Sequence, residues 1–231
     1  QLAVSIWLLA WGSSGFSGSE VGLLLIWSIA MVWAMNLYNL MDGSTGMAGF
    51  LGVVAGLVME ILVQFGENPA MSLVALVVAA ACLGFLPLNF PRAKVFMGDA
   101  ASVPLGFIFA SFAVYGMRTG SLSLLSSILV MSVFIVDATL TLMTRVIRGE
   151  RWHTAHAQHV YQRLIAKGWS HRQVLAIYQA INVVLVLPAI MLAEIFPQLA
   201  FAAVGFTLFT LGVCWYIANW RLAMIATVQF K

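Results

Sequence analysis

The chain has 231 residues, of which 62% are hydrophobic and only 8% are charged, and its formal net charge is +3. Soluble domains carry about 25% charged residues, so the composition excludes a soluble globular protein and predicts an integral membrane protein. Because backbone groups in lipid must be satisfied within their own segment, the apolar runs are predicted to be helices.

The first predicted element is a partial membrane span over Leu2–Trp11. The chain begins with Gln1, and no basic residues precede the apolar run, a pattern typical neither of a signal peptide nor of a natural start. We therefore expect that N-terminal helices of the protein precede this residue.

Seven full spans follow, because runs of about 18 or more apolar residues predict membrane-spanning helices. They lie near 21–39, 47–64, 70–88, 101–117, 122–143, 174–194 and 198–219. In the second full span, Gly46, Gly49, Gly52 and Gly56 recur at spacings of three and four residues, which predicts close packing against a neighbouring helix. The predicted fold is an all-α polytopic membrane protein with a single domain over 1–231.

Basic residues divide unequally between the two sides of the predicted membrane. One side receives Arg92, Lys94, Arg145, Arg148, Arg151, Arg163, Lys167, Arg172, Arg221 and Lys231. The other side receives only Arg118, and the positive-inside rule therefore makes the first side cytoplasmic. Because this asymmetry accounts for the basic excess, no nucleic-acid partner is predicted.

Polar residues collect in three loops on the cytoplasmic side. These loops are Asn39–Gly46, Asn89–Ala100 and Thr144–Gln173. A transporter is expected to place its polar groups near the middle of the membrane. The distribution instead favours an enzyme whose catalytic loops lie on the cytoplasmic face.

The aspartates are Asp42, Asp99 and Asp137, each at or near the cytoplasmic end of a predicted span. Asp42 and Asp99 lie in different loops on the same side, and two such carboxylates suit Mg²⁺, which also takes phosphate oxygens and water. Neighbouring glycines, in "MDGSTG" and "MGDAAS", would let backbone N–H groups approach a phosphate. The alternative interpretation is that each aspartate only caps a turn.

The third loop is predicted to contain a short helix from Ala155 to Lys167, with Gly168 as its stop signal. Ser170 and Gln173 then form a capping box ahead of the next apolar run.

The same loop is rich in donors for phosphate oxygens: Arg148, Arg151, Arg163, His153, His156 and His159. Arginine and histidine make strong charge-assisted hydrogen bonds to phosphate. A zinc site is a less favoured alternative, because no cysteine or neighbouring carboxylate completes it. The other alternative is an ordinary positive-inside loop.

Three segments, "NLYNLMDGSTG", "NFPRAKVFMGDAAS" and "RGERWHTAHAQHVYQ", resemble cytoplasmic motifs of the polyprenyl-phosphate N-acetylaminosugar-1-phosphate transferases, in the same order. This is glycosyltransferase family 4, which is related to phospho-N-acetylmuramoyl-pentapeptide transferase. The resemblance covers about 36 to 165 by motif, and the third segment, with "VDATLTL", is most similar to the branch that initiates O-antigen synthesis.

The resemblance implies roles for individual residues. It implies that Asp99 is the Mg²⁺ ligand, with Mn²⁺ as an alternative metal, and that Asn39 and Asp42 face the diphosphate. It implies that Asn89 and Phe96 contact the uracil and that Asp137 lies at a helix end close to the same surface. The implied catalytic residues are Asp42, Asp99, Asn39 and His159. The expected substrate-binding residues are Asn89, Phe96, Gly43, Thr45, His156, Arg148 and Arg151.

The sequence also departs from the family pattern. Thr45 stands where the family usually has a second Asp, and Ala101 stands where it usually has Gly. The adjacent Asp-Asp pair of the family's first motif is missing, which the expected upstream helices would explain. A truncated or inactive paralogue that acts as a non-catalytic membrane protein is the alternative.

The implied reaction transfers an N-acetylaminosugar 1-phosphate from a UDP-sugar to polyprenyl (undecaprenyl) phosphate and releases UMP. Its partners would be the two substrates and the bilayer, with a homodimer left open. The implied location is the bacterial inner membrane, and the implied role is the first step of O-antigen or related cell-envelope polysaccharide synthesis.

Overall fold

The computed structural model describes residues 1–10, 18–150 and 157–228. Its helices are α1 (Leu2–Ala10), α2 (Gly18–Leu40), α3 (Met47–Phe65), α4 (Pro69–Asn89), α5 (Gly98–Thr119), α6 (Leu124–Ile147), α7 (Val160–Ala166), α8 (His171–Ile181), α9 (Leu187–Ile195) and α10 (Ala200–Val228). A π-helical segment, Asn182–Val186, joins α8 to α9, and a 3-10 turn, Pro197–Leu199, precedes α10.

Seven helical stretches of the described residues are long and apolar enough to cross a membrane. They correspond to α2, α3, α4, α5 and α6, to α8 continued by α9, and to α10 with its preceding turn. The described residues contain no strand. The predicted all-helical class and the seven spans are therefore confirmed, while the side on which the cytoplasm lies stays a prediction.

Helices α3 and α4 pack as a close hairpin because small residues line their interface. A Cβ atom added to Gly49 would lie 2.9 Å from the Leu86 side chain, and one added to Gly56 would lie 2.9 Å from Cβ of Ala79. Gly52 faces the Cys82 side chain at a still shorter distance. The predicted role in helix packing is confirmed for Gly49, Gly52 and Gly56. It is wrong for Gly46, which precedes α3 as its N-cap with a positive φ of 80°.

Helices α2 and α5 approach each other equally closely. A Cβ atom on Gly106 would lie 2.7 Å from Cα of Met35, so no larger residue fits between the two backbones. The end of α2 and the start of α5 lie side by side. This contact brings the loop that follows α2 next to the loop that precedes α5.

Two predicted helix boundaries in the third loop are wrong. The short helix begins at Val160 rather than at Ala155, and residues 157–159 are not helical. Helix α6 continues to Ile147, beyond the predicted end of its span. Asp137 consequently lies inside α6, about 15 Å before its end, and not at a helix end as the family resemblance implied.

The capping box before α8 is confirmed. The Gln173 amide donates to the Ser170 hydroxyl over 3.3 Å, and Oε1 of Gln173 accepts from the Ser170 amide at 2.9 Å. This reciprocal pair satisfies donors that the first turn of a helix leaves unpaired.

Candidate active site

Asp42 joins the first polar loop to the second. Its Oδ2 accepts a hydrogen bond of 2.9 Å from the backbone amide of Gly98. Three residues earlier, Oδ1 of Asn39 lies 2.9 Å from the hydroxyl of Ser102, which donates to it. Asn39 lies in the last turn of α2 and Asp42 just after it, whereas Gly98 and Ser102 lie in the first turns of α5. The two predicted motifs therefore meet at one surface.

Asp99 is exposed beside this contact. It occupies the first turn of α5, where the helix dipole favours a negative charge. Burial raises the pKa of Asp42 to about 6, the Gly98 amide opposes that rise, and the charge of Asp99 adds to it. Two carboxylates therefore share one surface, and one of them resists ionisation.

This donor set fits a magnesium ion. The described residues contain no group of three or more His, Cys, Asp or Glu side chains that could enclose a metal on their own. Mg²⁺ does not need such a group, because it commonly binds one or two carboxylates and completes its shell with phosphate oxygens and water. Burial is the main cause of the raised Asp42 pKa, and a divalent cation held by the two carboxylates would offset the smaller contribution from the charge of Asp99.

Three glycine amides that were expected to approach a phosphate are already engaged within the protein. The Gly43 amide donates to the Tyr161 hydroxyl at 3.1 Å, and the Gly46 amide donates to Oδ1 of Asn89 at 2.6 Å. The Gly98 amide is the donor to Asp42. The prediction that these amides form a phosphate nest is therefore wrong for the arrangement that the structure shows.

Asn89, the last residue of α4, is hydrogen-bonded to the first loop. Its Oδ1 holds Gly46, which adopts a positive φ of 80°, and its Nδ2 donates to the carbonyl of Val95 at 3.0 Å. Both ends of the amide are thus used inside the protein, and the residue is buried. Its implied contact with uracil remains a prediction.

The other two residues expected to contact the nucleotide differ in accessibility. Phe96 is 72% exposed, so its ring is free to stack on a base. Thr45 is buried, and its hydroxyl has no hydrogen-bond partner among the described residues. Ser44, next to it, is bonded through its hydroxyl to Nδ1 of His171 over 2.9 Å, a contact that the sequence analysis missed.

Tyr161 connects the third loop to the first. Its hydroxyl donates to the carbonyl of Leu40 over 2.8 Å and accepts from the Gly43 amide. A Cβ atom at position 43 would collide with this hydroxyl, which explains the glycine there. The ring of His159 is fully buried and stacks on Tyr161 with the ring centroids 5.9 Å apart.

Asp137 is buried beneath the same loop. Its Oδ2 accepts a 2.6 Å hydrogen bond from the Tyr178 hydroxyl, and its Oδ1 accepts one of 3.1 Å from the Val160 amide at the start of α7. Thr141 donates to the same Oδ1 at 3.3 Å. Sequence reasoning missed Tyr178, although an aspartate inside a membrane span signals that donors must surround it. It also missed Tyr161, for which no such signal exists.

The other described residues of the third loop that were expected to bind phosphate are not found at this site. Arg148 caps the end of α6 and lines a different cavity, together with Arg163. Arg145 is buried in an ion pair with Glu150, with 3.0 Å between Nη1 and Oε2. Arg151, His153 and His156 lie outside the described residues.

Comparison with known proteins shows the family. Residues 2–117, half of the chain, match the sequence model of the family described as "Glycosyl transferase family 4". The chain belongs to glycosyl transferase family 4. In this family 4 protein the matched residues run from α1 into α5 and include Asn39, Asp42 and Asp99, whereas Asp137 and the third loop lie beyond them.

Several curated proteins are similar to this family 4 chain. A Bacillus subtilis protein named "Probable undecaprenyl-phosphate N-acetylglucosaminyl 1-phosphate transferase" is 30% identical over 172 residues, which cover 74% of this chain and 47% of that protein. A "Decaprenyl-phosphate N-acetylglucosaminephosphotransferase" of Mycobacterium tuberculosis is 33% identical over 190 residues, 72% of this chain and 46% of its own length. A "Phospho-N-acetylmuramoyl-pentapeptide-transferase" of Staphylococcus saprophyticus is 31% identical over 177 residues, 73% of this chain and 53% of its own length. The family 4 chain spans about half the length of the curated relatives it matches.

Proposed function

We propose that the protein transfers an N-acetylaminosugar 1-phosphate from a UDP-sugar to polyprenyl phosphate, releasing UMP. The observation that carries this proposal is the hydrogen bond between Asp42 and Gly98, which places two polar loops and the exposed Asp99 at one surface. Two of the three relatives are named as transferases of undecaprenyl phosphate and decaprenyl phosphate. Their names support the lipid acceptor and the type of reaction.

The surface suits a reaction between a lipid and a soluble nucleotide. Asp42 and Asp99 lie at the ends of membrane-spanning helices, where a lipid phosphate and a nucleotide could both arrive. Phe96 offers an exposed ring for base stacking. Asn39 and Asn89 fix the two loops on either side, through Ser102 and Gly46 respectively.

Asp99, with Asp42 beside it, would hold Mg²⁺ or Mn²⁺. When bound, such a cation supplies neutralisation of charge on the diphosphate. Phosphoryl transfer depends on positioning and charge neutralisation more than on covalent help from the protein. In the proposed step an oxygen of the lipid phosphate attacks the β-phosphorus, a new P–O bond forms, and the bond to the bridging oxygen breaks as UMP leaves with that oxygen.

The biological role that we propose for this reaction is the initiation of O-antigen or a related cell-envelope polysaccharide. We place the reaction at the bacterial inner membrane, with the active site facing the cytoplasm. These assignments are supported by the form of the third loop and by the distribution of basic residues. The names of the relatives do not mention O-antigen. Two of them name N-acetylglucosamine, and the UDP derivative of this sugar is therefore the first donor substrate to test.

The test is UMP release from UDP-N-acetylglucosamine by the intact protein, with polyprenyl phosphate and titrated Mg²⁺. Asp99→Asn keeps the side-chain shape but removes the charge. We expect kcat to fall by about a hundredfold or more, as is typical when a contact that stabilises transition-state charge is removed.

The matched control is Glu67→Gln, which removes an exposed carboxylate from the loop between α3 and α4. It should leave kcat unchanged. Near-normal, Mg²⁺-dependent turnover by Asp99→Asn would remove Asp99 from the site. No UMP release by the unsubstituted protein would favour the non-catalytic alternative.

A further inference from the structure

A polar cavity of about 570 Å³ lies between α6, α7 and α10, apart from the candidate active site. The described residues that line it are Thr141, Thr144, Arg148, Gln158, Arg163, Trp215, Tyr216, Asn219 and Trp220. None of them contributes to the surface around Asp42 and Asp99. The cavity combines two arginines with three large aromatic side chains.

Helix α7 separates this cavity from the candidate active site. Tyr161 reaches the Leu40 carbonyl on one side of the helix, while the Arg163 guanidinium donates to Oδ1 of Asn219 on α10. Side chains two positions apart on an α-helix are rotated by about 200° around the helix axis. The two side chains therefore point to opposite sides, and the cavity is a distinct site.

The charged side chains among the described residues that line the cavity are those of Arg148 and Arg163. No acidic side chain is among the described residues that line it. The nearest carboxylate along the chain, Glu150, is already paired with Arg145 and accepts a 3.0 Å hydrogen bond from Gln158. Burial and the neighbouring charge of Arg148 both lower the pKa of Arg163, as expected for two like charges held near one space.

The walls of the cavity lie where a membrane surface would be. Arg148 directly follows the apolar span of α6, whose last residue, Ile147, is 81% exposed. Tyr216 and Trp220 are exposed near the end of the last span. Tryptophan and tyrosine are typical of the membrane–water interface, and basic pockets between spanning helices bind anionic lipid headgroups.

We propose that this cavity binds the phosphate group of an anionic phospholipid, with Arg148 and Arg163 as the ligands of the phosphate. The exposed apolar surfaces of α6 and α10 on either side give the acyl chains a place to lie. This neighbourhood favours a lipid phosphate over free phosphate. The binding does not depend on the proposed transferase function.

The experiment measures lipid retention by native mass spectrometry of the purified protein, with equal amounts of phosphatidylglycerol and phosphatidylethanolamine. We expect selective retention of phosphatidylglycerol. Arg148→Gln and Arg163→Gln should each weaken it about tenfold, the loss expected for one hydrogen bond to a charged group.

Arg172→Gln is the matched control, because Arg172 is exposed on α8 and does not line the cavity. It should retain phosphatidylglycerol as the unsubstituted protein does. Because Arg148 is exposed, its substitution should preserve folding, and it decides the test alone if Arg163→Gln fails to fold.

Unchanged retention in Arg148→Gln would overturn the proposal. Displacement by inorganic phosphate at the same concentration would indicate a free-anion site and would also overturn it. Displacement by polyprenyl phosphate would assign the cavity to the acceptor lipid instead. Because retention is measured without turnover, its failure is distinguishable from failure of the transferase assay.

Discussion

Asp42 shows how a single residue connects the site to its environment. Partial burial raises its pKa to about 6 from an ordinary value of 3.8, although the Gly98 amide stabilises the charged form. The folded state therefore holds this proton more tightly than the unfolded state does. The stabilisation that follows is fully present below pH 3.8 and is lost as the pH rises through about 6.

Asp42→Asn should remove this dependence on pH. An asparagine side chain still offers an oxygen to the Gly98 amide but carries no charge to bury. Without divalent cations, we expect the thermal midpoint of the variant to rise relative to the unsubstituted protein between about pH 4 and pH 6, the window set by the two pKa values. Thermal unfolding in detergent with EDTA measures it, and parallel pH curves for the two proteins would contradict the assignment.

At the scale of the elements, polar contacts fix the position of α7. Only seven residues long, it is too short to be stable alone. Asp137 fixes its first amide, and Tyr161 ties its first turn to the end of α2. A buried carboxylate inside a membrane span is therefore explained here by the segment that it holds in place.

Asp137→Asn should release α7. The amide can present only one oxygen, so either the Tyr178 hydroxyl or the Val160 amide loses its acceptor, at a typical cost of about 1–3 kcal/mol in the free energy of unfolding. We expect a lower thermal midpoint and faster hydrogen exchange across Val160–Ala166. Glu67→Gln serves as the control. Unchanged exchange in α7 would show that Asp137 does not anchor it.

The helices themselves were predictable, while the contacts between loops were not. Apolar runs located the spans, and glycine spacing located the α3–α4 interface, because both are local patterns. The end of α6 was missed because Arg145, which looks like a boundary, is buried in an ion pair with Glu150. The hydrogen bond between Tyr161 and Leu40 and that between Gly46 and Asn89 join residues far apart in sequence, so no local sequence pattern predicts them.

At the scale of the whole molecule, the candidate active site lies at one end of the helices, and large apolar side chains lie along their outer surfaces. Phe65, Phe201 and Val184 are examples of large apolar side chains that are mostly exposed in the isolated chain. Lipid contact accounts for such exposure, because seven helical stretches of the described residues are able to span a membrane. The distribution of basic residues predicts which end faces the cytoplasm.

Cysteine labelling tests that orientation. With Cys82 and Cys214 replaced by alanine, a cysteine at Thr119 should react with an impermeant thiol reagent applied to intact cells, because that residue is exposed at the end of α5, on the predicted outer side. A cysteine at Ala157, exposed in the third loop, should react only after the cells are opened. Labelling of Ala157→Cys in intact cells would invert the topology and the proposed site.

The engagement of Gly43, Gly46 and Gly98 has a thermodynamic consequence for substrate capture. Each amide is bonded within the protein, to Tyr161, Asn89 and Asp42 respectively. The two loops are consequently ordered when the chain folds, and their conformational entropy is not lost again when a nucleotide arrives. Such preorganisation leaves more of the interaction energy available as affinity, since the nucleotide would meet a surface whose shape already exists.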